Sequence, residues 1–236
     1  MASLIRERSA STAAMLEAFG DRALVAAALR FEAALARAQA AEGLIPAEAV
    51  DAIAAAAAGL DVPVDMLAEE AAHAGTLAIA LVKRLREAVA TRAADAAIHV
   101  HHGATSQDLA DTALMLQAKA AMAVLAPDID VLAGALRRLA GDHAGLAMTG
   151  RTLLQPALPT TLGLKAANWL SALHAADDRL RREAGQALAL QLGGPAGTLS
   201  GMDGRGHAVA ERMARELGLH APDLHWQARR GDVAGL

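Results

Sequence analysis

A short polar segment stands out from an otherwise alanine-rich chain, and its residue types could bind an anion. It reads His99-Val-His-His-Gly-Ala-Thr-Ser-Gln-Asp108 and directly precedes a helical run that begins at Leu109. Thr105 and Asp108 fit the capping-box pattern, in which the first residue caps free helix amides and the second reaches back to the cap. The free N–H groups and the positive dipole end of a helix bind carboxylates and phosphates. The segment therefore predicts an anion-binding helix start, and the alternative is a cap with no ligand.

The three histidines of this segment, His99, His101 and His102, are candidate metal ligands. In an extended segment His99 and His101 would share one face, but two imidazoles make an incomplete zinc site. The chain contains no cysteine, and no well-spaced carboxylates complete the set. The sequence therefore favours hydrogen bonding of these histidines to a bound anion or to the loop itself, and it predicts no metal site.

A second polar cluster separates two long helical stretches, in the segment Gly150-Arg-Thr-Leu-Leu-Gln-Pro-Ala-Leu-Pro-Thr-Thr161. Taken alone, this segment is a polar connector in which Pro159 opens the next helix and Thr161 caps it. Its candidate functional side chains are those of Arg151, Thr152, Gln155, Thr160 and Thr161.

The elements that position these segments are predicted to be helices. The chain has 236 residues, no tyrosine, two phenylalanines and two tryptophans. Alanine dominates, and leucine, arginine and glutamate, which like alanine are strong helix formers, occur throughout the chain, whereas β-branched residues are scarce. A chain of this length can bury a substantial core. The composition therefore predicts an all-α protein.

Apolar stripes at helical spacing give the positions of the helices. The first clear stripe starts after Asp21 and contains Leu24, Ala28, Phe31 and Leu35, in steps of four and three. Pro127 is expected to kink or restart the longest helix. Further helices are predicted over 47–60, 65–73, 77–94, 109–139, 162–190 and 207–217, with a flexible glycine-rich loop over 193–198.

Composition also argues against several classes of function. The net charge of −4, with both signs interspersed, gives no basic footprint for nucleic acid, and the few aromatic residues make base stacking implausible. Without cysteine, neither disulfides nor thiolate chemistry are possible. The first residues lack the apolar core of a signal peptide, and charges interrupt each apolar run before membrane-spanning length. We expect a soluble, cytoplasmic protein with no nucleic-acid or membrane partner.

Three segments, taken together and in order, carry a resemblance to a known family. They are His-Gly-Ala-Thr-Ser-Gln-Asp108, Gly-Arg-Thr-x-x-Gln-x-Ala-x-Pro-Thr-Thr161 and Leu-Gly-Gly-x-Ala-Gly-Thr198. They resemble the fumarase/aspartase superfamily and, within it, the 3-carboxy-cis,cis-muconate cycloisomerases. The similarity extends to residues 29–38 and 43–48, so it covers essentially the whole chain.

The resemblance implies both a fold and an assembly. The implied fold is an N-terminal helical domain, residues 1–97, followed by the first part of a central long-helix bundle, residues 98–236. The implied assembly is a homotetramer whose active sites form at subunit junctions, from conserved regions on three different chains.

The resemblance also implies an activity and a set of binding residues. The activity is the conversion of 3-carboxy-cis,cis-muconate to carboxymuconolactone in protocatechuate degradation, the β-ketoadipate pathway. It proceeds by carboxylate addition through an aci-carboxylate intermediate and requires no metal or redox cofactor. The implied residues are three that hold a substrate carboxylate and five that line or shape the same pocket: His101, Thr105 and Ser106, then Arg151, Thr152, Gln155, Thr160 and Thr161.

Some positions depart from the family pattern. Fumarases and adenylosuccinate lyases carry a His directly after Gly-Arg-Thr, where this chain has Leu153, and many cycloisomerases carry a His where it has Pro156. The family tail Trp-His-x-Gln-Arg-Asp reads Trp226-Gln-Ala-Arg-Arg-Gly231 here. The family's third region, Gly-Ser-Ser-x-Met-Pro-x-Lys-x-Asn-Pro, carries the acid/base serine and is expected beyond Leu236. No catalytic residue is therefore assigned within this chain.

Two alternatives stay open at this point. The first is an adenylosuccinate-lyase-like enzyme of the same superfamily that releases fumarate, and Leu153 weighs against it. The second is a truncated homologue without catalytic activity, which the altered tail and the missing third region favour.

Overall fold

The computed structural model describes residues 7–236, and helices dominate it. A single hairpin of two short strands, β1 (Ala147–Thr152) and β2 (Gln155–Thr161), is present among the described residues. The prediction of an all-α fold is confirmed, with this hairpin added to it. The helices are α1 Ala13–Ala18, α2 Asp21–Ala41, α3 Ala47–Gly59, α4 Val64–Ala74, α5 Leu77–Ala90, α6 Ser106–Asp142, α7 Leu162–Ala187, α8 Gly206–Leu217 and α9 Gly231–Gly235.

The chain forms two compact units. The larger unit contains the chain up to Ala121 together with Gln186–Gly235, and the smaller unit contains Met122–Gly185. Helix α6 therefore starts in the larger unit and ends in the smaller one. The division after residue 97 stays a prediction about the family's domains.

Apolar stripes build the core of the larger unit. Ala28, Phe31 and Leu35 of α2 are fully or almost fully buried, as their four-and-three spacing predicts. They belong to one cluster with Ile53 of α3 and Leu85 of α5. Helix α2 packs against α3 and α8, while α4 packs against α5. The sequence therefore defines this core well, because each stripe becomes a buried helix face.

Several predicted helix boundaries are confirmed. Pro46 is the N-cap residue of α3, and Gly75 ends α4 in the left-handed conformation, with φ of +74°. Thr76 then caps α5, because its hydroxyl accepts a hydrogen bond from the Ala78 amide. Pro127 lies inside α6, which runs from Ser106 to Asp142, so the helix does not restart at this residue, and the alternative of a kink stays a prediction.

The hairpin of the smaller unit replaces the predicted polar connector. Pro159 does not open the next helix: it lies in β2 and pairs with Thr149 beside an irregularity in the ladder. Proline is tolerated here because both strands are edge strands, where a missing N–H need not break a ladder bond. Leu153 and Leu154 form the turn with φ of +43° and +65°, and both side chains are 94% exposed. The sequence missed the hairpin because prolines and leucines at these positions are untypical of strands and tight turns.

Helix α6 is long and apolar enough to meet the length and composition criteria for a membrane span. Its first turns nevertheless belong to the core of the larger unit, where Leu109, Ala113 and Leu116 are buried. Asp111 lies on the same stretch and is paired with Arg230. We interpret α6 as a core helix, because its first turns are buried in the larger unit.

Candidate active site

A cavity of about 410 Å³ lies in the larger unit, at the start of α6. Its floor is apolar, and its polar groups are two basic side chains, one acid, one imidazole and one hydroxyl. The residues that line it are Ala78, Ile79, Val82, Lys83, Arg86 and Glu87 of α5, together with His101 and Ser106. The structure thus brings two of the predicted carboxylate-binding residues to one cavity.

The turn before α6 contains one of the two hydrogen bonds of the predicted capping box, the one made by the acid. The Thr105 amide donates to the Asp108 carboxylate at 3.0 Å, so the acid reaches back to the cap as the pattern requires. Thr105 itself is half-buried, directly before Ser106, the first residue of α6. Ser106 lines the cavity at the positive end of the helix.

Asp108 also holds a loop that is distant in sequence. Its side chain is fully buried and accepts hydrogen bonds from the Gly193 and Gly194 amides, each at 2.9 Å. The Gln191 side-chain amide donates to the same carboxylate, also at 2.9 Å. Four hydrogen-bond donors occupy the Asp108 carboxylate. Asp108 therefore stabilises the local structure and is not available to bind substrate.

The glycine-rich loop, predicted to be flexible, packs closely against the turn that carries His101. A Cβ atom at Gly194 would lie 2.9 Å from the Gly103 carbonyl oxygen, and one at Gly201 would lie 2.8 Å from the Gly103 Cα. Gly103 and Gly194 both have positive φ, at +68° and +71°. Glycine is required at these positions because two backbone segments approach each other directly. The loop therefore supports the turn.

A polar network links this support to the tail. Gln191 exchanges hydrogen bonds with the Thr112 hydroxyl, and its side-chain oxygen accepts from the Trp226 amide at 2.8 Å. Arg230 stacks on the Trp226 ring and forms two hydrogen bonds to Asp111, which raise the pKa of its guanidinium. Of the two tail residues that match the family pattern, Arg230 thus fastens the tail to α6 and Trp226 fastens it to Leu190 and Gln191.

His101 has a partner that the sequence did not indicate. Its Nδ1 lies 2.6 Å from Oε1 of Glu32, whose side chain is fully buried on α2. His102 has a different role, because its carbonyl oxygen accepts a hydrogen bond from the Gln39 side chain at 2.7 Å. Within residues 7–236 no group of three or more histidines and carboxylates could hold a metal ion. Glu32 and His101 are 69 residues apart in the sequence and meet only because the chain folds, so local sequence spacing could not predict their pairing.

The five remaining predicted residues all lie in the smaller unit. Arg151, Thr152 and Gln155 are exposed on the hairpin, next to its two-residue turn. Thr160 and Thr161 are half-buried at the end of β2. The predicted cap is confirmed, because the Thr161 hydroxyl accepts a hydrogen bond from the Leu164 amide at 3.0 Å. Their role in binding stays a prediction.

The long helices, and the cavity with basic and hydroxyl groups at a helix start, agree with the family resemblance of the three sequence motifs. The chain belongs to the lyase family: the sequence model of the family described as Lyase matches residues 6–232. The resemblance predicted from the sequence is therefore confirmed.

Individual relatives are similar over nearly the whole chain. A 3-carboxy-cis,cis-muconate cycloisomerase of Bradyrhizobium diazoefficiens is 47% identical over 224 residues, covering 95% of this chain and 50% of the relative. One of Pseudomonas aeruginosa is 46% identical, covering 92% and 48%. A nitrosuccinate lyase of Streptomyces davaonensis is 40% identical, covering 92% and 47%. The chain thus spans about half the length of the curated relatives it matches.

The fold is similar to that of a solved structure. The crystal structure of 3-carboxy-cis,cis-muconate lactonizing enzyme from Pseudomonas putida superposes with a TM-score of 0.93 at 40% identity. The match covers 99% of this chain and 53% of that chain.

Proposed function

We propose that this protein acts as a cytoplasmic cycloisomerase that converts 3-carboxy-cis,cis-muconate to carboxymuconolactone in protocatechuate degradation, the β-ketoadipate pathway. The observation that carries the proposal is the cavity at the start of α6, where His101 and Ser106 meet two basic side chains. The 47% identity to a cycloisomerase gives the choice of reaction.

The reaction is an isomerisation of the free acids, and between the ionised forms it takes up one proton, because the carboxylate that becomes the lactone ester loses its charge. An oxygen of one carboxylate adds to an activated double bond, and the electron pair of that bond moves into a neighbouring carboxylate. The resulting aci-carboxylate concentrates negative charge and then takes a proton at carbon. Hydrogen-bond donors that stabilise this intermediate more than they stabilise the substrate lower the activation barrier of the reaction. No proton donor within the chain is assigned.

The cavity suits a substrate that combines a hydrocarbon body with several carboxylates. Ala78, Ile79 and Val82 offer apolar surface to the carbon chain. Lys83 and Arg86 supply positive charge, and Arg86 is held in place because it donates to the Val100 carbonyl oxygen at 3.1 Å. We infer that Thr105 and Ser106 hold one carboxylate together with His101, while the basic side chains attract the others.

The residues of the hairpin complete the proposal. Arg151, Thr152 and Gln155 are assigned to the same pocket, contributed by another subunit of a homotetramer, and Thr160 and Thr161 are assigned to shape it. Their exposure within one chain supports this assignment, because polar side chains that act across a subunit junction are free in a single chain. Thr161 acts through its position, since its hydroxyl caps α7.

A fumarate-releasing lyase is the second candidate, and the observation behind it is the 40% identity to a nitrosuccinate lyase. The higher identities to two cycloisomerases, 47% and 46%, favour the first candidate. The two candidates differ in their products. We expect the purified protein to convert 3-carboxy-cis,cis-muconate to a lactone, seen as loss of the diene absorbance and as new lactone signals by NMR. Release of fumarate from adenylosuccinate, without lactonisation, would replace the first proposal with the second.

A further inference from the structure

We propose that Glu32 is a positioning residue for His101, and that this buried carboxylate–imidazole pair presents the Nε2 atom of His101 to the cavity. The identity of the ligand that Nε2 meets rests on the proposed function. The orientation of the ring rests on geometry alone.

The pair is close and shielded from solvent. Oε1 of Glu32 lies 2.6 Å from Nδ1 of His101, with side-chain exposures of 0% and 12%. The second carboxylate oxygen, Oε2, is buried and has no hydrogen-bond partner among the described residues. Burying a carboxylate is costly unless a donor or a cation satisfies it. Within residues 7–236, His101 is the hydrogen-bond partner of Glu32, through Oε1 alone.

The proposal assigns the proton between the two groups to Nδ1 of His101. With Glu32 as a carboxylate, which only accepts hydrogen bonds, Nδ1 is the donor to Glu32. Nε2 is then the remaining polar atom of a ring that lines the cavity. In the imidazolium form Nε2–H donates to a carboxylate of the substrate, and in the neutral form Nε2 accepts a proton.

The backbone and a neighbouring ring add to this constraint. His101 has φ of +61°, a left-handed conformation that is unfavourable for a non-glycine residue. Such a conformation persists only where the surroundings determine it. The Phe31 ring, adjacent to Glu32 in the chain, lies 6.4 Å from the His101 ring, centroid to centroid. One turn of α2 therefore both packs against the imidazole and hydrogen bonds to it.

The first test measures the wild-type protein and needs no variant of Glu32. In protein labelled with ¹⁵N histidine, the signals of His101 are those that disappear in His101→Gln. We expect the ¹⁵N shifts and proton couplings to identify Nδ1 as protonated. A neutral ring with its proton on Nε2 and a bare Nδ1 would overturn the proposal.

The second test separates positioning from a merely structural hydrogen bond. Addition of 3-carboxy-cis,cis-muconate should move the Nε2 signal of His101, and Glu32→Gln should weaken this binding about tenfold or more, since hydrogen bonds to charged groups are the strong ones. Glu216→Gln is the matched control, because Glu216 pairs with Arg37 at the surface. Equal binding by Glu32→Gln and Glu216→Gln would overturn the positioning role.

The Ser106 amide signal distinguishes a failure of this proposal from a failure of the proposed function. If the substrate moves the Ser106 amide but leaves Nε2 of His101 unchanged, the substrate binds and the role of Glu32 is wrong. If it moves neither signal, the proposed substrate is wrong, and the protonation of Nδ1 decides whether the pair exists.

Discussion

Ser106 and Asp108 lie two residues apart on the first turn of α6 and have opposite environments. The Asp108 carboxylate is turned into the protein, where four donors satisfy it. The Ser106 side chain instead lines the cavity. The same capping box thus uses its acid to build the turn and leaves the neighbouring hydroxyl available to a ligand.

Ser106→Ala tests the ligand role of this hydroxyl. We expect kcat/KM for lactonisation to fall about tenfold or more, because a hydrogen bond to a charged carboxylate is lost. Thermal stability should change little, since serine at this position is replaced by a better helix former. Ser171→Ala on α7 is the control for the same replacement at an exposed position. Wild-type kinetics for Ser106→Ala would show that the substrate binds elsewhere.

Asp108→Asn tests the structural role of the buried acid. The amide keeps one acceptor oxygen and directs its NH₂ group toward donors, so we expect a loss of about 3 kcal/mol or more in the free energy of unfolding. Urea denaturation followed by circular dichroism measures this loss. Asp178→Asn, at an exposed residue of α7, should change it by less than about 0.5 kcal/mol. Similar midpoints for the two variants would contradict the assignment.

At the residue scale, the sequence predicts contacts between residues that are close together along the chain. Thr105 and Asp108 are three residues apart, and their hydrogen bond has the predicted direction. Glu32 and Gln191 were missed because they meet the site from 69 and 83 residues away. Such contacts depend on how helices pack, which a periodic pattern does not specify.

The support of the site belongs to the scale of elements. The glycine-rich loop and the turn before α6 approach so closely that Gly103 and Gly194 have no room for side chains. The sequence indicated a glycine-rich loop but not its purpose, because glycines suit both free and tightly packed segments. The structure shows two amides of the loop bonded to Asp108.

Gly194→Ala tests this close approach against a glycine with similar backbone geometry. Gly75 also has a positive φ, +74°, but a Cβ there would meet nothing within 4 Å. Both alanine variants carry the left-handed cost of about 1–2 kcal/mol. We expect Gly194→Ala to lose at least about 1 kcal/mol more, because the new methyl group presses on the Gly103 carbonyl. Equal unfolding free energies for the two variants would show that the loop can move away.

At the scale of the whole molecule, the apolar surface that a single chain leaves exposed bears on whether the protein assembles into an oligomer. In the smaller unit Val131, Leu132, Leu164 and Trp169 are each at least 49% exposed. Apolar side chains along long helices are typical of surfaces that join other helices. The prediction of a homo-oligomer from the family resemblance agrees with this surface and stays a proposal.

Val131→Glu tests the proposed assembly. We expect the variant to sediment as a smaller species than wild type, because an unpaired charge at a buried interface is strongly unfavourable. Sedimentation velocity measures the change. Ala68→Glu, on the exposed face of α4, adds the same charge to the larger unit and should leave the assembly intact. If wild type and both variants sediment alike, residue 131 lies outside any interface.

At the scale of the whole molecule the sequence was most informative, because three motifs in the correct order define a family more specifically than any one of them. The helical fold and the family could both be predicted from the sequence. The position of the second motif on a hairpin did not, since a two-stranded ribbon is held by turn geometry and pairing rather than by an apolar face.

The most direct test of the proposed function is the lactonisation assay with 3-carboxy-cis,cis-muconate, followed by absorbance and by NMR of the product. The proposal predicts that the substrate is consumed, that carboxymuconolactone is the product, and that Ser106→Ala is slower than Ser171→Ala. A substrate that stays unchanged while the same preparation releases fumarate from adenylosuccinate would contradict it.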